Sequence, residues 1–432
     1  MSTTAWAAVV IFTAAYALIA TEKVHRVAAA LGGATLMLLI GATDAKHAFF
    51  SNDAGIDWNV IFLLLGMMLI VAMVKRTGVF EYIAIWAAKR AKGRPSRVMV
   101  ILVLVTAIAS TALDNVTTVL LVAPVTFLVC DRLGVPAAPF LIAEALASNI
   151  GGTATLIGDP PNIIIASRGG LSYNDFLLHL APIVVLLLVV FIGLCRWLFR
   201  AAFRYDADRA AGVMALRERD AIRDGRLLIV SGAVVVLVTA AFVLHTVLHL
   251  EPSVVALVGG LLLLPASRLD AGEVARDVEW PTLVFFAGLF VMVGGLVATG
   301  VIDRIARAAA DAVEGKLWLT TLVLLWGSAA LSAIVDNIPY VATMSPVVAE
   351  LVAANGGGED SQVLWWSLAL GADLGGNATA IGASANVVVL GMAERAGRKI
   401  SFWEFTKFGL VVTLVTVALC TPYLWLRYFA FT

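Results

Sequence analysis

Long apolar runs separated by short polar stretches set the plan of this chain. Runs near 4–21, 26–43, 58–75, 176–199, 226–248, 281–299 and 407–426 are each sized to cross a membrane, and 253–267 is a shorter run of the same kind. Crossing about 30 Å of hydrocarbon takes about 20 helical residues. Four further apolar segments are interrupted near their middles: 97–131 by "LDNVTT", 137–167 by "SNIGGTATLIGDPPN", 317–354 by "VDNIPY" and 363–394 by "DLGGNATAIGASAN". The first and third are expected to be re-entrant hairpins, the second and fourth helices broken at mid-depth. The stretches Val79–Lys92 and Val301–Val313 are short, charged and amphipathic, so they are expected to lie along the membrane faces.

The interruptions recur in register. Asp57-Trp58 matches Glu279-Trp280, Gly66 matches Gly288, Thr77-Gly78 matches Thr299-Gly300, Asp114-Asn115 matches Asp336-Asn337 and Pro124 matches Pro346, all at an offset of 222. The glycine-rich stretches match at 224, where seven of the sixteen residues from Ala147 to Asn162 are identical to their counterparts. A register this constant marks a tandem duplication.

Composition fixes the solvent of these helices. Of 432 residues, 61% are hydrophobic and 14% charged, and mean hydropathy is +0.95, which is a polytopic membrane protein and no soluble domain. Basic and acidic residues number 30 each, so net charge points to no nucleic-acid partner. The N-terminus lacks a basic region and a cleavage site and reads as the first span. Cys130, Cys195 and Cys420 are widely separated in apolar segments and suggest packing, with no disulfide framework or metal cluster. If the hairpins return to their own side, each half crosses five times, an odd number, and the second half is inverted. With both termini outside, only Lys46, Arg168, Arg304, Arg307, Lys316 and Arg427 of the 30 basic residues lie outside, as the retention of Lys and Arg in cytoplasmic loops requires. The expected fold is therefore all-α and polytopic: two inverted repeats of about five spans plus one hairpin each, at 1–205 and 226–432, joined by a cytoplasmic linker at 206–225. The expected location is the plasma membrane.

Inverted repeats with paired broken helices are the mark of a secondary transporter whose site lies at mid-depth. Irregular backbone there leaves polar groups unsatisfied, at several kcal/mol each, unless it lines a wet cavity or grips a ligand. Exposed helix N-termini suit anions and C-termini suit cations, and glycine lets backbone approach a ligand closely. Asp114 and Asp336 are intramembrane carboxylates, which points to function. Asn115 and Asn337 have two readings, as caps of the second hairpin helix or as ligand contacts. The repeats also differ: Asp159 faces Ala383, Asn149 faces Asp373 and Glu144 faces Leu368. A carboxylate present in one half only can bind a proton or cation at one stage of the cycle, so Asp159 and Asp373 are the coupling candidates. Glu144 is either a third or a polar residue facing the bundle.

Hairpins ending in Asp-Asn, followed by "SNIGGTATLIGDPPNIIIAS", resemble the ArsB-type arsenite permeases and the related melanosomal P proteins. These sit in the ion transporter superfamily with NhaD-type Na+/H+ antiporters and the citrate and dicarboxylate carriers. The resemblance spans essentially residues 1–430. It implies elevator-type exchange, often in homodimers, with hairpin tips and broken-helix loops jointly holding substrate and coupling ion. By position it implicates Asp114, Asn115, Thr117 and Thr118; Asn149, Thr153, Thr155, Asp159 and Asn162; Asp336 and Asn337; and Asp373, Asn377, Thr379 and Asn386. The carboxylate carriers have Ser-Asn-Thr at both tips where this chain has Asp-Asn-Val and Asp-Asn-Ile, which disfavours a dianion.

Arsenite or antimonite efflux is the first expectation, since neutral As(OH)3 suits a cavity of Asn, Thr and backbone groups. Na+/H+ exchange and a citrate or other anion carrier are the alternatives, and a passive channel a further one. No cofactor or resident metal is expected. The coupling ion is H+ or Na+, with the hairpin tips as the place for sodium. An intramembrane aspartyl protease is disfavoured, because Leu156 stands where such enzymes have glycine and the Tyr205-Asp206 pair falls in the linker. No G-x-x-x-x-G-K loop occurs, so ATP drive would require a separate subunit. The topology is testable: a cysteine at Gly357 should react with an impermeant thiol reagent in intact cells, and one at Ala207 only after permeabilisation. Labelling of Ala207 in intact cells would overturn the termini-out arrangement.

Overall fold

The computed structural model describes residues 1–430 except 22–23, 52–53, 216, 269 and 313–315, so Val313 of the second amphipathic stretch lies outside the described residues. Among the described residues the regular elements are all helical. The first half runs α1 (Thr3–Ala20), α2 (Arg26–Leu39), α3 (Ala45–Phe50), α4 (Trp58–Arg76), α5 (Val79–Arg90), α6 (Pro95–Ala112), α7 (Asn115–Leu133), α8 (Ala138–Gly152), α9 (Pro160–Gly169), α10 (Tyr173–His179) and α11 (Ala181–Leu198). The linker carries α12 (Ala207–Met214). The second half runs α13 (Gly225–Leu248), α14 (Pro252–Ser267), α15 (Ala271–Asp277), α16 (Trp280–Ala298), α17 (Val301–Ala312), α18 (Leu317–Ser332), α19 (Asn337–Ala354), α20 (Val363–Gly375), α21 (Ser384–Arg395) and α22 (Phe402–Tyr428).

Local chemistry repeats with the sequence. Gly78 and Gly300, at φ +79° and +69°, end α4 and α16 in the left-handed region that glycine enters without steric cost. Prolines open α6, α9 and α11 within their first turns, where a missing amide is harmless. The run 176–199 was expected to be one helix, and the structure divides it. Ser172 and Asp175 form a reciprocal cap that starts α10, with Asp175 N donating to Ser172 Oγ at 3.2 Å and Ser172 N to Asp175 Oδ2 at 2.7 Å. Pro182 then cannot supply the amide that would carry α10 into α11.

Helix pairing crosses between the halves. α4 packs along α14 and α16 along α2, while α7 packs on α21 and α19 on α9. Within each half α6 lies against α8 and α18 against α20, and these pairings hold the hairpins beside the broken helices. Both arms of the first hairpin contact α5, so the chain returns beside its point of entry. The arms are longer than a hairpin reaching mid-depth needs. α6 has 18 residues, about 27 Å of helix, against about 15 Å of half-bilayer. Seven described helices are long and apolar enough to cross a membrane, and α6 and α7 are among them. Length and composition therefore do not distinguish a hairpin arm from a span; the packing partners do.

The linker is pinned to α5. Lys89 Nζ meets Glu218 Oε2 at 2.6 Å, Arg223 Nη2 meets Glu81 Oε1 at 2.7 Å, and Arg223 N donates to Thr77 O at 3.0 Å.

The α4–α14 crossing closes over Gly66. A Cβ there would stand 2.4 Å from the carbonyl carbon of Ala256, whereas at the equivalent Gly288 the nearest atom, the carbonyl carbon of Ala30, is 3.0 Å away. Gly66→Ala should therefore lower stability by about 1–3 kcal/mol, and Gly288→Ala by less. Thermal unfolding in detergent measures both, and an equal or absent effect would refute the crossing geometry.

Candidate functional site

Each hairpin tip is a two-part device. Asp114 caps α7, accepting from Thr117 N at 2.8 Å and Thr117 Oγ1 at 2.5 Å. Asp336 caps α19, accepting from Ile338 N at 3.1 Å and from Ser384 Oγ at 2.5 Å. With the aspartates holding the helix amides, the next residues are free to reach outward. Asn115 Nδ2 donates to Asp159 Oδ2 at 2.8 Å and to Asn149 Oδ1 at 3.0 Å. Asn337 Nδ2 approaches the same Asp159 Oδ2 at 3.3 Å. The aspartates are the N-caps of both helices, while Asn115 Oδ1 also accepts from Val116 N at 2.8 Å and the Nδ2 groups of both asparagines turn to Asp159.

The irregular segments between α8 and α9 and between α20 and α21 are braced by the hairpins. Thr155 Oγ1 donates to Thr111 O and Thr379 Oγ1 to Ala333 O, each at 2.6 Å. Ser110 Oγ donates to Ser148 O at 2.7 Å and Ser332 Oγ to Ala372 O at 2.6 Å. Asn162 Nδ2 bonds Thr155 O at 3.1 Å, as Asn386 Nδ2 bonds Thr379 O at 2.9 Å. Ser110 and Ser332 escaped the sequence reading, although each stands four residues before a tip aspartate in the 222 register. The glycines differ from expectation. A Cβ at Gly158 would meet Gly152 O and Ser110 O at 2.5 Å, and one at Gly382 would meet Gly376 O at 2.7 Å. These glycines let the two limbs of a loop and a hairpin approach each other, so the expectation that they bring backbone to a ligand gives way to loop closure.

Where the breaks meet, a buried ring of amides and acids forms. Asn149 Nδ2 donates to Asn377 Oδ1 at 2.9 Å and to Asn386 Oδ1 at 3.2 Å, joining the two halves. Asp373, which occupies the place of Asn149 in the second repeat, has Thr153 and Asn162 as polar neighbours. Neither of its oxygens meets hydrogen-bond geometry, and Asn162 Oδ1 and Thr118 Oγ1 are likewise without partners. Asp159 and Asp373 are both fully buried, and Asp159 lies within electrostatic reach of Asp373, Asp336 and Asp114. Two negative charges so placed need a proton or a bound cation between them.

One cavity reaches the hairpin tips. It encloses about 560 Å³ and is lined by both tip aspartates, Arg26, Glu279, Ser384 and an apolar wall that includes Met68 and Phe285. Arg26 donates from Nη1 to Ser384 Oγ at 3.3 Å and from Nη2 to Thr282 Oγ1 at 3.2 Å. Neither Arg26 nor Glu279 stood among the expected site residues. Glu279 was visible as the repeat partner of Asp57, whereas Arg26 falls opposite Leu248 in the 222 register and left no signal. A second cavity of about 570 Å³, at the α13–α14 junction, is lined by Asn59, Ser167, His245 and Ser253 and contains no tip or ring aspartate.

Interleaved repeats, hairpin tips meeting broken helices, and a polar ring buried at their junction define a membrane transporter of the ion transporter type. The chain belongs to the citrate transporter (CitMHS) family, whose pattern matches residues 16–371. It is 59% identical over 422 residues to an uncharacterized transporter of Mycobacterium tuberculosis, covering 98% of each chain. It is 32% identical over 493 residues to the P protein of Homo sapiens, covering 96% of this chain and 59% of that one. Among solved structures it resembles the YdaH transporter of Alcanivorax borkumensis, described as having an unusual topology, with a TM-score of 0.62 at 15% identity over 84% of each chain. It also resembles MtrF of Neisseria gonorrhoeae, described within a class of antimetabolite efflux pumps, with a TM-score of 0.64 at 12% identity over 98% of each chain.

The tip-to-loop bonds are open to a double-mutant cycle. Asn115→Ala and Asp159→Ala should each destabilise the protein, and their coupling should be about 0.5–3 kcal/mol because each removes the other's partner. Additive losses in thermal unfolding would mean that the tip does not engage the loop.

Proposed function

We propose that this protein is a proton-coupled secondary transporter that exports a small neutral polyhydroxy solute of the arsenite or antimonite type. The observation that carries this reading is the side-chain set of the ring: six asparagines and two aspartates, with no basic side chain among them. Amides offer both donors and acceptors to the hydroxyls of As(OH)3, and the two acids supply a place for the coupling proton. Cys130, Cys195 and Cys420 are buried in the packing of α7, α11 and α22 and take no part in the ring, so coordination of arsenic by thiolate is no part of the proposal. A citrate trianion would enter past Asp114, Asp336 and Glu279, with His25 and Arg26 the basic residues among the described lining, and Coulomb repulsion from the three acids opposes it. Two cavities support this reading: one is lined by the hairpin-tip aspartates and the other by Leu156 and Ile163 without a tip or ring aspartate, as expected where the two gates of one site differ in a single state.

A second reading, Na+/H+ exchange, is favoured by one feature. The unpartnered oxygens of Asp373, Asn162 and Thr118 are hard ligands suited to sodium.

Purified protein in proteoliposomes separates these readings. Saturable flux of arsenite or antimonite, stimulated by a pH gradient, is expected, with Asp159→Asn flattening the pH dependence. Flux of citrate alone would sink the proposed substrate class. Sodium flux driving proton movement would select the second reading, and flux that neither saturates nor answers a gradient would make the protein a channel.

A further inference from the structure

Outside the ring, α8 carries one more acid. Glu144 is 1% exposed. Its Oε1 accepts from the Thr126 hydroxyl of α7, and its Oε2 has no partner. The helices packed on α8 bring other ionisable groups: Arg97 on α6; Cys130, Asp131 and Arg132 on α7; Cys195 and Arg196 on α11; Asp373 on α20; Glu394 and Arg395 on α21. None of these is a hydrogen-bond or ion-pair partner of Glu144; Cys130, one turn beyond Thr126, is the one within electrostatic reach, and Asp131 is spent on a surface ion pair with Arg398.

The second repeat shows that the fold does not require this pair. In register, Leu368 stands where Glu144 does and Val348 where Thr126 does, so an apolar pair of nearly the same shape fills the equivalent place. An acid whose structural duty a leucine performs, kept where an unpaired charge costs several kcal/mol, is there for its proton. Its placement agrees. Glu144 lies five residues before Asn149 of the ring, about 7.5 Å along the helix, and Pro124 of α7 leaves the Leu120 carbonyl without its usual amide between Thr118 and Thr126.

We propose that Glu144 is a second proton-binding site of the transport cycle, separate from Asp159 and Asp373, filled in the conformation described and emptied in another. Filled, Oε2 carries the proton as O–H. On release that bond breaks, water takes the proton, and the carboxylate remains with the Thr126 hydroxyl donating to it. The proposal rests on transport being coupled to an ion gradient at the ring.

Two measurements test it. Infrared spectra of reconstituted membranes at neutral pH should show a protonated carboxylic acid band that Glu144→Gln lacks; identical spectra would overturn the proposal. With whichever solute of the preceding panel gives saturable flux, the steady-state accumulation ratio across one pH unit should fall about tenfold in Glu144→Gln, the equivalent of one coupled proton. A structural role would change the rate and leave that ratio intact, which would also overturn it. The Glu144→Leu, Thr126→Val double variant, a copy of the second repeat, should melt no lower than wild type, and a large fall in melting temperature would make the pair structural. Asp159→Asn separates the two readings: an unchanged ratio there counts against the ring, whereas an unchanged ratio in Glu144→Gln counts against this site alone.

Discussion

Backbone that leaves the helix inside a membrane must find partners for its amides and carbonyls, since the hydrocarbon offers none. That demand organises the centre of this protein. The two breaks after α8 and α20 would be prohibitive alone, and each is satisfied by a hairpin laid beside it. Serine and threonine hydroxyls of one element take up carbonyls of the other, and Asn337 N takes up Gly382 O at 3.2 Å. The glycines of the loops follow from the same demand, because a side chain at Gly158 or Gly382 would hold apart the backbones that must approach. Hairpin and broken helix are thus one structural unit, made twice.

What the duplication does not repeat is the charge of the broken helices. The braces are symmetric, from Ser110 and Ser332 to Asn162 and Asn386, and so are the tip aspartates Asp114 and Asp336, whereas three buried acids are not: Asp159 faces alanine, Asp373 faces asparagine and Glu144 faces leucine. A twofold scaffold therefore surrounds a core whose electrostatics have no twofold axis. Symmetric scaffolding lets two states of the molecule have similar shape, while asymmetric charge lets them differ in affinity for a proton, which is the condition for a gradient to do work.

Much of this was readable in the chain. The 222 and 224 offsets located both hairpins and both breaks, because duplicated apolar helices rarely keep polar residues in register unless the fold needs them there. The division of labour at the tips was hidden: adjacent Asp and Asn have the same sequence claim to a cap, and only backbone geometry assigns Asp114 to α7 and Asn115 to Asp159. Thr155 and Thr379 read as ligand contacts and prove committed to hairpin carbonyls, a distinction that depends on side-chain direction. The separation of α10 from α11 was obscured by apolar residues on both sides of Leu180. Arg26 gave no sign because its role depends on a contact with Ser384, 358 positions away.

The exchange of α4 onto α14 and of α16 onto α2 reaches beyond the finished molecule to its biosynthesis. α4 is complete at Arg76, yet its packing partner begins only at Pro252, so at ordinary ribosomal speeds it waits on the order of ten seconds or more for its counterpart. The first half cannot mature as an independent body. A premature stop in the linker would leave a product with its main helix seam open, a substrate for membrane quality control and no half-transporter.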